Sequence, residues 1–276
     1  MPFDMNRTWS QAIALVRANF QLLALIAAIF LLLPELVGLV ALPDLSPPAN
    51  ETVDFNALGR RLLDNPPVLA AMLVIVAISI AGYGAMIALM GPQRPTVGAA
   101  IGRGAMALPT VIGYVVVLAL GYLVVGTALG FVIVLLGTLL GASQATLSYL
   151  LVLISAVLLF YVGCRSAVIV PVIVHERTAN PLRAFARSWR LTKPARGRIV
   201  AFFLLLVIGA VTIQLVTGLA LKAVGLLIED ESGGRFLTGL LGGLVGMVLA
   251  MIGCGIAVSM HEQLAGTSAS AQPPAG

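Results

Sequence analysis

Few residues in this chain are equipped for chemistry. Its only two histidines, His175 and His261, are each followed by a glutamate, Glu176 and Glu262. A histidine beside a carboxylate suits acid–base catalysis or a metal centre, because imidazole titrates near neutrality and both groups bind divalent ions. A metal needs more donors than one dipeptide supplies, and neither pair has another histidine or carboxylate near it in sequence. The simpler reading of Glu176 is a salt-bridge partner for the arginines that follow it. Meeting in space, the two pairs would make a two-His, two-Glu cluster, which sequence spacing alone does not dictate. Glu35, directly after Pro34 in an apolar run, is the other candidate. A carboxylate inside hydrocarbon is expensive and marks proton coupling or substrate contact. The competing reading shifts its helix towards Arg17 and leaves Glu35 at the outer interface. Cys164 and Cys254 both sit in apolar runs, which excludes a disulfide scaffold or a cysteine zinc site. No cofactor is expected.

The elements that must carry these groups follow from composition. Of 276 residues, 60% are hydrophobic and 10% are charged, with a mean hydropathy of +1.07. A soluble domain carries about 25% charged residues. Six stretches are long enough to cross a bilayer, which takes about 20 apolar residues: 20–42, 67–90, 108–140, 147–174, 199–227 and 236–260. The third is expected to tilt or to break at its glycines. The cluster Gly141, Ala142, Ser143, Gln144 and Ala145 predicts a hairpin turn within the uncharged gap from Arg103 to Arg165. Small residues four apart predict close helix packing: Gly126 and Gly130, Gly137 and Gly141, Gly239 and Gly243, Gly242 and Gly246, and Ala77, Ala81 and Ala85.

Loop charges set the orientation. With the N-terminus cytoplasmic, 12 of the 16 lysines and arginines fall inside, and only Arg60, Arg61, Lys222 and Arg235 fall outside. Both termini are then cytoplasmic, in the cell inner (plasma) membrane. The net charge of +5 belongs to the face turned towards anionic lipid. Nucleic acid is not an expected partner, since no stacking platform accompanies the charge.

Three segments share a pattern, starting at Thr8, Thr96 and Asn180, which are good helix N-caps. Aligning Ala12, Ala100 and Ala184 brings Ile13, Ile101 and Phe185 together, and Arg103 with Arg187. Each segment precedes two spans, which predicts three repeats at about 1–92, 93–178 and 179–264. In the third, Leu182, Phe185 and Trp189 form an apolar face, and Arg183, Arg187 and Arg190 form a basic stripe. That pattern predicts a helix lying in the membrane interface. Trp9, Ile13, Val16 and Phe20 predict a similar face in the first copy. Candidate lipid-headgroup contacts are Arg183, Arg187, Arg190, Lys193, Arg196, Arg198 and Trp189; candidate functional carboxylates are Glu35 and Glu176.

The stretch PVIVHERTANPLRAFARSWRLTKPARG, from Pro171 to Gly197, resembles bacterial proteins labelled as the glycerophosphoryl diester phosphodiesterase membrane domain. Pro171, Glu176, Ala184, Ser188, Trp189, Leu191 and Thr192 carry the likeness, and NRTWSQAIALVRAN and HEQLAG extend it over nearly the whole chain. Arg177 and Thr178 stand where a glycine commonly follows the glutamate, and Pro194 where a glycine often ends the run. The resemblance implies only the membrane portion of such proteins. Their catalysis belongs to a separate soluble barrel, for which the loops here leave no room.

The reading is therefore an all-α integral membrane protein: six transmembrane helices with short cytoplasmic interfacial helices, in three helix-pair repeats. It forms a single membrane domain (1–264) followed by a disordered cytoplasmic tail (265–276). The expected role is non-catalytic, as a lipid-interacting protein or a membrane module for a partner. The alternative is a transporter or permease for a small or lipid-like substrate using a mid-membrane carboxylate.

Overall fold

Hydrocarbon offers backbone groups no water, so a span must satisfy its own N–H and C=O groups, which a helix does. All regular structure among the described residues is helical in the computed structural model, which describes residues 3–41, 55–93, 95–225 and 231–270. Six helices are long and apolar enough to cross a membrane: Phe20–Ala41, Pro66–Met90, Val97–Leu139, Gln144–His175, Pro181–Leu221 and Phe236–Gly266. The chain is a multi-pass membrane protein.

Helix α1 (Met5–Ala18) is capped by Asp4, whose Oδ1 accepts from the amides of Asn6 and Arg7 at 2.9 and 3.1 Å. Thr8, the expected cap, instead lies within the first turn. It is fully buried and donates its hydroxyl to the Asp4 carbonyl at 2.8 Å. The buried face of α1 is Thr8, Ala12 and Val16, whereas Trp9 and Phe20 of the expected apolar stripe are exposed.

After a break at Asn19, the first span runs as α2 (Phe20–Ala27), a π-helical turn (Ala28–Leu32) and α3 (Leu33–Ala41). Pro34 explains the widened turn. It has no N–H to give the carbonyl four residues back, and its ring crowds that carbonyl. The Leu33 amide accordingly reaches back to the Ala28 carbonyl, five residues away.

Helices α4 (Phe55–Asp64) and α5 (Pro66–Met90) follow. Helix α6 (Val97–Leu139) starts under a Thr96 cap and runs unbroken through Pro109. Its 43 residues rise about 64 Å, twice the hydrocarbon thickness. The short helix expected at Thr96 is therefore collinear with its span. Gly141, at φ +69°, makes the expected turn into α7 (Gln144–Arg165). The fourth apolar stretch is not one helix: the chain breaks at residues 166–168 and restarts as α8 (Ile169–His175). Helix α9 (Pro181–Thr192) is capped by Asn180, whose Oδ1 accepts from Leu182 and Arg183. Helix α10 (Arg196–Gly225) and helix α11 (Glu231–Ser270) complete the fold. Helix α11 continues past Leu264, so the tail is helical as far as Ser270.

Packing concentrates at the end where α1 meets the last turns of α11. Helices α5 and α6 cross there in backbone contact, since a methyl on Gly84 would meet the Gly104 Cα at 2.9 Å. A methyl on Gly255 of α11 would meet the Ala12 carbonyl of α1 at the same distance. Helix α9 packs on α8 and α6. Ala12, Ala100 and Ala184 are each fully buried at these contacts. Of the glycine pairs, Gly239 and Gly243 receive Leu39 and Leu32 of the first span, and Gly137 receives Leu147. Gly126 and Gly130 meet side chains only at ordinary contact distance, and nothing lies within 4 Å of where a methyl on Gly246 would sit.

Candidate functional site

The two histidines come together. Helices α5 and α8 end beside the His261 turn of α11, bringing Gly91, His175 and His261 into one layer. The imidazole of His175 donates from Nε2 to the Ile87 carbonyl of α5 at 3.1 Å, and a methyl on Gly91 would strike that nitrogen. The rings of His175 and His261 stand edge to face with centroids 5.7 Å apart. His261 donates from Nε2 to Glu176 Oε1 at 3.2 Å, and Arg187 Nε donates to both oxygens of the same carboxylate at 3.3 and 3.2 Å. Glu176, just past α8, therefore ties α9 to α11, while His175 ties α8 to α5. Glu262 takes no part in this layer and is exposed. The cluster is thus two histidines, one glutamate and one arginine, not two matched pairs. Among the described residues no three His, Cys, Asp or Glu side chains are placed to hold a metal ion.

Above this layer the helices part. An open-sided cleft of about 560 Å³ lies between α5, α8, α10 and α11, with Tyr83, Ile87, Val170, Gln214, Cys254 and Ala257 among its walls. Ile87 and Ala257 each stand one helical turn from the histidine layer, at Gly91 and His261, so the cleft comes within a turn of that layer. A second cleft of about 340 Å³ shares Tyr83, Gly246 and Ala250 with the first and continues to Ser79 and Glu35. The Ser79 hydroxyl donates back to the Ile75 carbonyl at 3.0 Å, leaving its lone pairs towards the cleft. Glu35 is exposed along this wall, and a methyl on Gly243 would stand 3.3 Å from its Oε2. The walls are mainly apolar and the polar groups few, which is how sites for small amphipathic molecules are built. The Lys222 side chain lies outside the described residues.

The basic segment divides in two. Arg183, Arg190, Lys193, Arg196 and Arg198 are exposed. Arg187 pairs with Glu176, and Trp189 is half-buried. The expected apolar face of α9 also differs. Leu182 is exposed, and the buried residues are Ala184, Ser188, Leu191 and Thr192. Small and hydroxyl-bearing side chains permit the close approach to α7 that the large ones would block. Ser188 and Thr192 both donate to the Arg165 carbonyl, at 2.9 and 3.3 Å.

Sequence reasoning passed over Tyr83, Ser79 and Gln214. Each is an isolated polar side chain in an otherwise apolar run, a weak signal that few apolar spans lack. It also passed over Arg165, the charge that ends the uncharged gap, whose position there was the available sign.

No family model, curated protein or solved structure matches the chain.

Proposed function

We propose that the chain is a permease for a small or lipid-like amphipathic substrate, with Glu35 as the carboxylate that meets its polar head. One observation carries this reading: the polar groups Glu35, Ser79, Tyr83 and Gln214 line two clefts that share a wall, and in this reading the histidine layer one turn further on is their floor. Along the first span Glu35 is about 22 Å from Phe20 and about 9 Å from Ala41. In a hydrocarbon layer about 30 Å thick that is its outer third. Tyr83, seven residues before Met90, stands about 10 Å from the inner end of α5. The path is thus open from the Glu35 level inwards and shut at His175 and His261. A substrate with a cationic or hydrogen-bond-donating head and an apolar body fits such walls. Alternating access would open the floor as the outer part closes.

The topology that suits this role is three repeats in parallel orientation, with both termini in the cytoplasm and the basic face against an anionic leaflet of a bacterial inner membrane. Two features support the repeats. The three aligned alanines are all buried, and each repeat's leading segment packs on the second span of the preceding copy: the start of α6 on α5, α9 on α8, and α1 on α11.

The test is passage of a fluorescent short-chain phospholipid across liposomes holding the purified protein. Protein-dependent passage that falls at least fivefold in Glu35→Gln, with Ser79→Cys open to a membrane-impermeant thiol reagent after Cys164 and Cys254 are replaced by alanine, is the expected result. Passage equal to that of empty liposomes, together with an unreactive Ser79→Cys, overturns the reading.

A further inference from the structure

A second, separate place in the molecule calls for a ligand. Arg165 ends α7 and is only 2% exposed. A guanidinium carries five N–H donors and a permanent charge. Here one donor is used, from Nη2 to the Trp189 carbonyl at 2.7 Å, and the guanidinium carbon sits 4.5 Å above the centre of the Trp189 ring. Nε and Nη1 are buried with no acceptor. The hydroxyl of the next residue, Ser166, is also buried, with the Tyr114 phenol as its neighbour. Among the described residues no carboxylate pairs with Arg165.

The last carbonyls of α9 and the indole face offset part of this charge, as helix C-termini and aromatic faces do. They leave the three N–H groups of Nε and Nη1 buried without an acceptor. Buried charge without a counter-ion is among the costlier features a fold can carry. The charge of Arg196, at the exposed start of α10, also acts on Arg165. A buried guanidinium with idle donors and no acid, with the charge of a second arginine acting on it, describes a site for an anion with several acceptor oxygens.

We propose that Arg165 and Ser166 form the inner end of a binding site for a phosphate-type anion, with Trp189 as its cover and Arg196 as its outer cation. Nε and Nη1 lie on different edges of the guanidinium, so each offers a donor of its own, and a two-oxygen grip on one phosphate would use an edge shared with Nη2. Entry requires Trp189 to swing off the guanidinium. Trp189 is half-buried and held at its edges only by Tyr161 and Phe185, with ring centroids 6.1 and 5.3 Å away. The phosphate comes either from a lipid headgroup or from solution. The site does not depend on the cleft or on transport.

Trp189 reports on its own cover. The chain has two tryptophans, and Trp9 is exposed on α1, so Trp9→Phe leaves Trp189 as the sole emitter. In a phosphate-free maltoside detergent this protein is titrated with dihexanoyl phosphatidylglycerol, inorganic phosphate and a short-chain diacylglycerol. A saturable emission change with the phospholipid alone identifies a headgroup site; a change with inorganic phosphate as well identifies a free-phosphate site. Added Arg165→Gln weakens either response at least tenfold, and Arg165→Lys, which keeps the charge and loses the fork, weakens it less. No saturable change with any phosphate compound overturns the proposal, as does an equal change with the diacylglycerol. A folded Arg165→Gln protein that responds as the parent does overturns it too. If Arg165→Gln does not fold, the three titrations of the parent decide.

Discussion

The two ends of the bundle are built on different rules. Where α1 meets the end of α11, backbones touch at Gly84, Gly104 and Gly255, and a layer of charge and imidazole links α5, α8, α9 and α11. At the opposite end α7 buries only Leu147 between Gln144 and Tyr161, and the large side chains of α6 and α10 face outwards. Lipid gives apolar side chains no reason to turn inwards, so only close packing and polar contacts hold spans together. One end has both, and the other has neither in quantity. Its helices are held by fewer such contacts.

That contrast sets an order of sensitivities. Gly104→Ala is the most damaging small change, because the methyl would meet the Ala85 amide nitrogen at 2.7 Å with backbone on both sides. A loss of about 3 kcal/mol is expected, at the upper end of overpacking costs, read as a lower melting temperature in detergent. Glu176→Gln comes next. It weakens the contacts of His261 and Arg187, which are partly solvated, and should cost about 1 kcal/mol. Its separate readout is easier opening of the histidine layer, measured as faster labelling from the cytoplasmic side of a cysteine placed at Ala257 on the cleft wall, with Cys164 and Cys254 replaced by alanine. Leu147→Ala loosens the hairpin and should cost less than a core leucine does, about 1 kcal/mol, since lipid refills the space. Gly121→Ala meets nothing within 4 Å and should stay within about 0.5 kcal/mol of the parent. If Gly121→Ala proved as damaging as Gly104→Ala, the proposed contrast would collapse.

The six spans were legible because their signal is length and hydropathy, which tertiary contacts scarcely alter. The Gly141 turn and the Asn180 cap were legible for a related reason, since both are local backbone demands. Helix faces were not. Tryptophan and phenylalanine stripes predict buried faces in water, yet the buried faces of α1 and α9 run through Thr8, Ala12 and Val16, and through Ala184, Ser188 and Thr192. Small residues mark the contact between helices, so a pattern of large apolar residues, read for the side turned to the membrane, does not point to the face that packs on protein. The histidine layer was half legible. His175 and His261 could be singled out, but their meeting depends on three helix ends 84 to 86 residues apart reaching one level, which no local pattern encodes.

The widened turn before Pro34 has a consequence for phase. In a regular helix each residue advances the face by about 100°, and a π turn takes up one residue more than an α turn without advancing the rest. Glu35 therefore faces the cleft only because Ala28–Leu32 absorbs that residue. Closing that turn into a regular helix with every residue kept, as Pro34→Ala would permit, would carry the carboxylate about a quarter-turn round, whereas deleting Ile29 together with the bulge would leave it facing the cleft. The first span is in this sense a dial with one detent, and the proline holds it at the setting that matters.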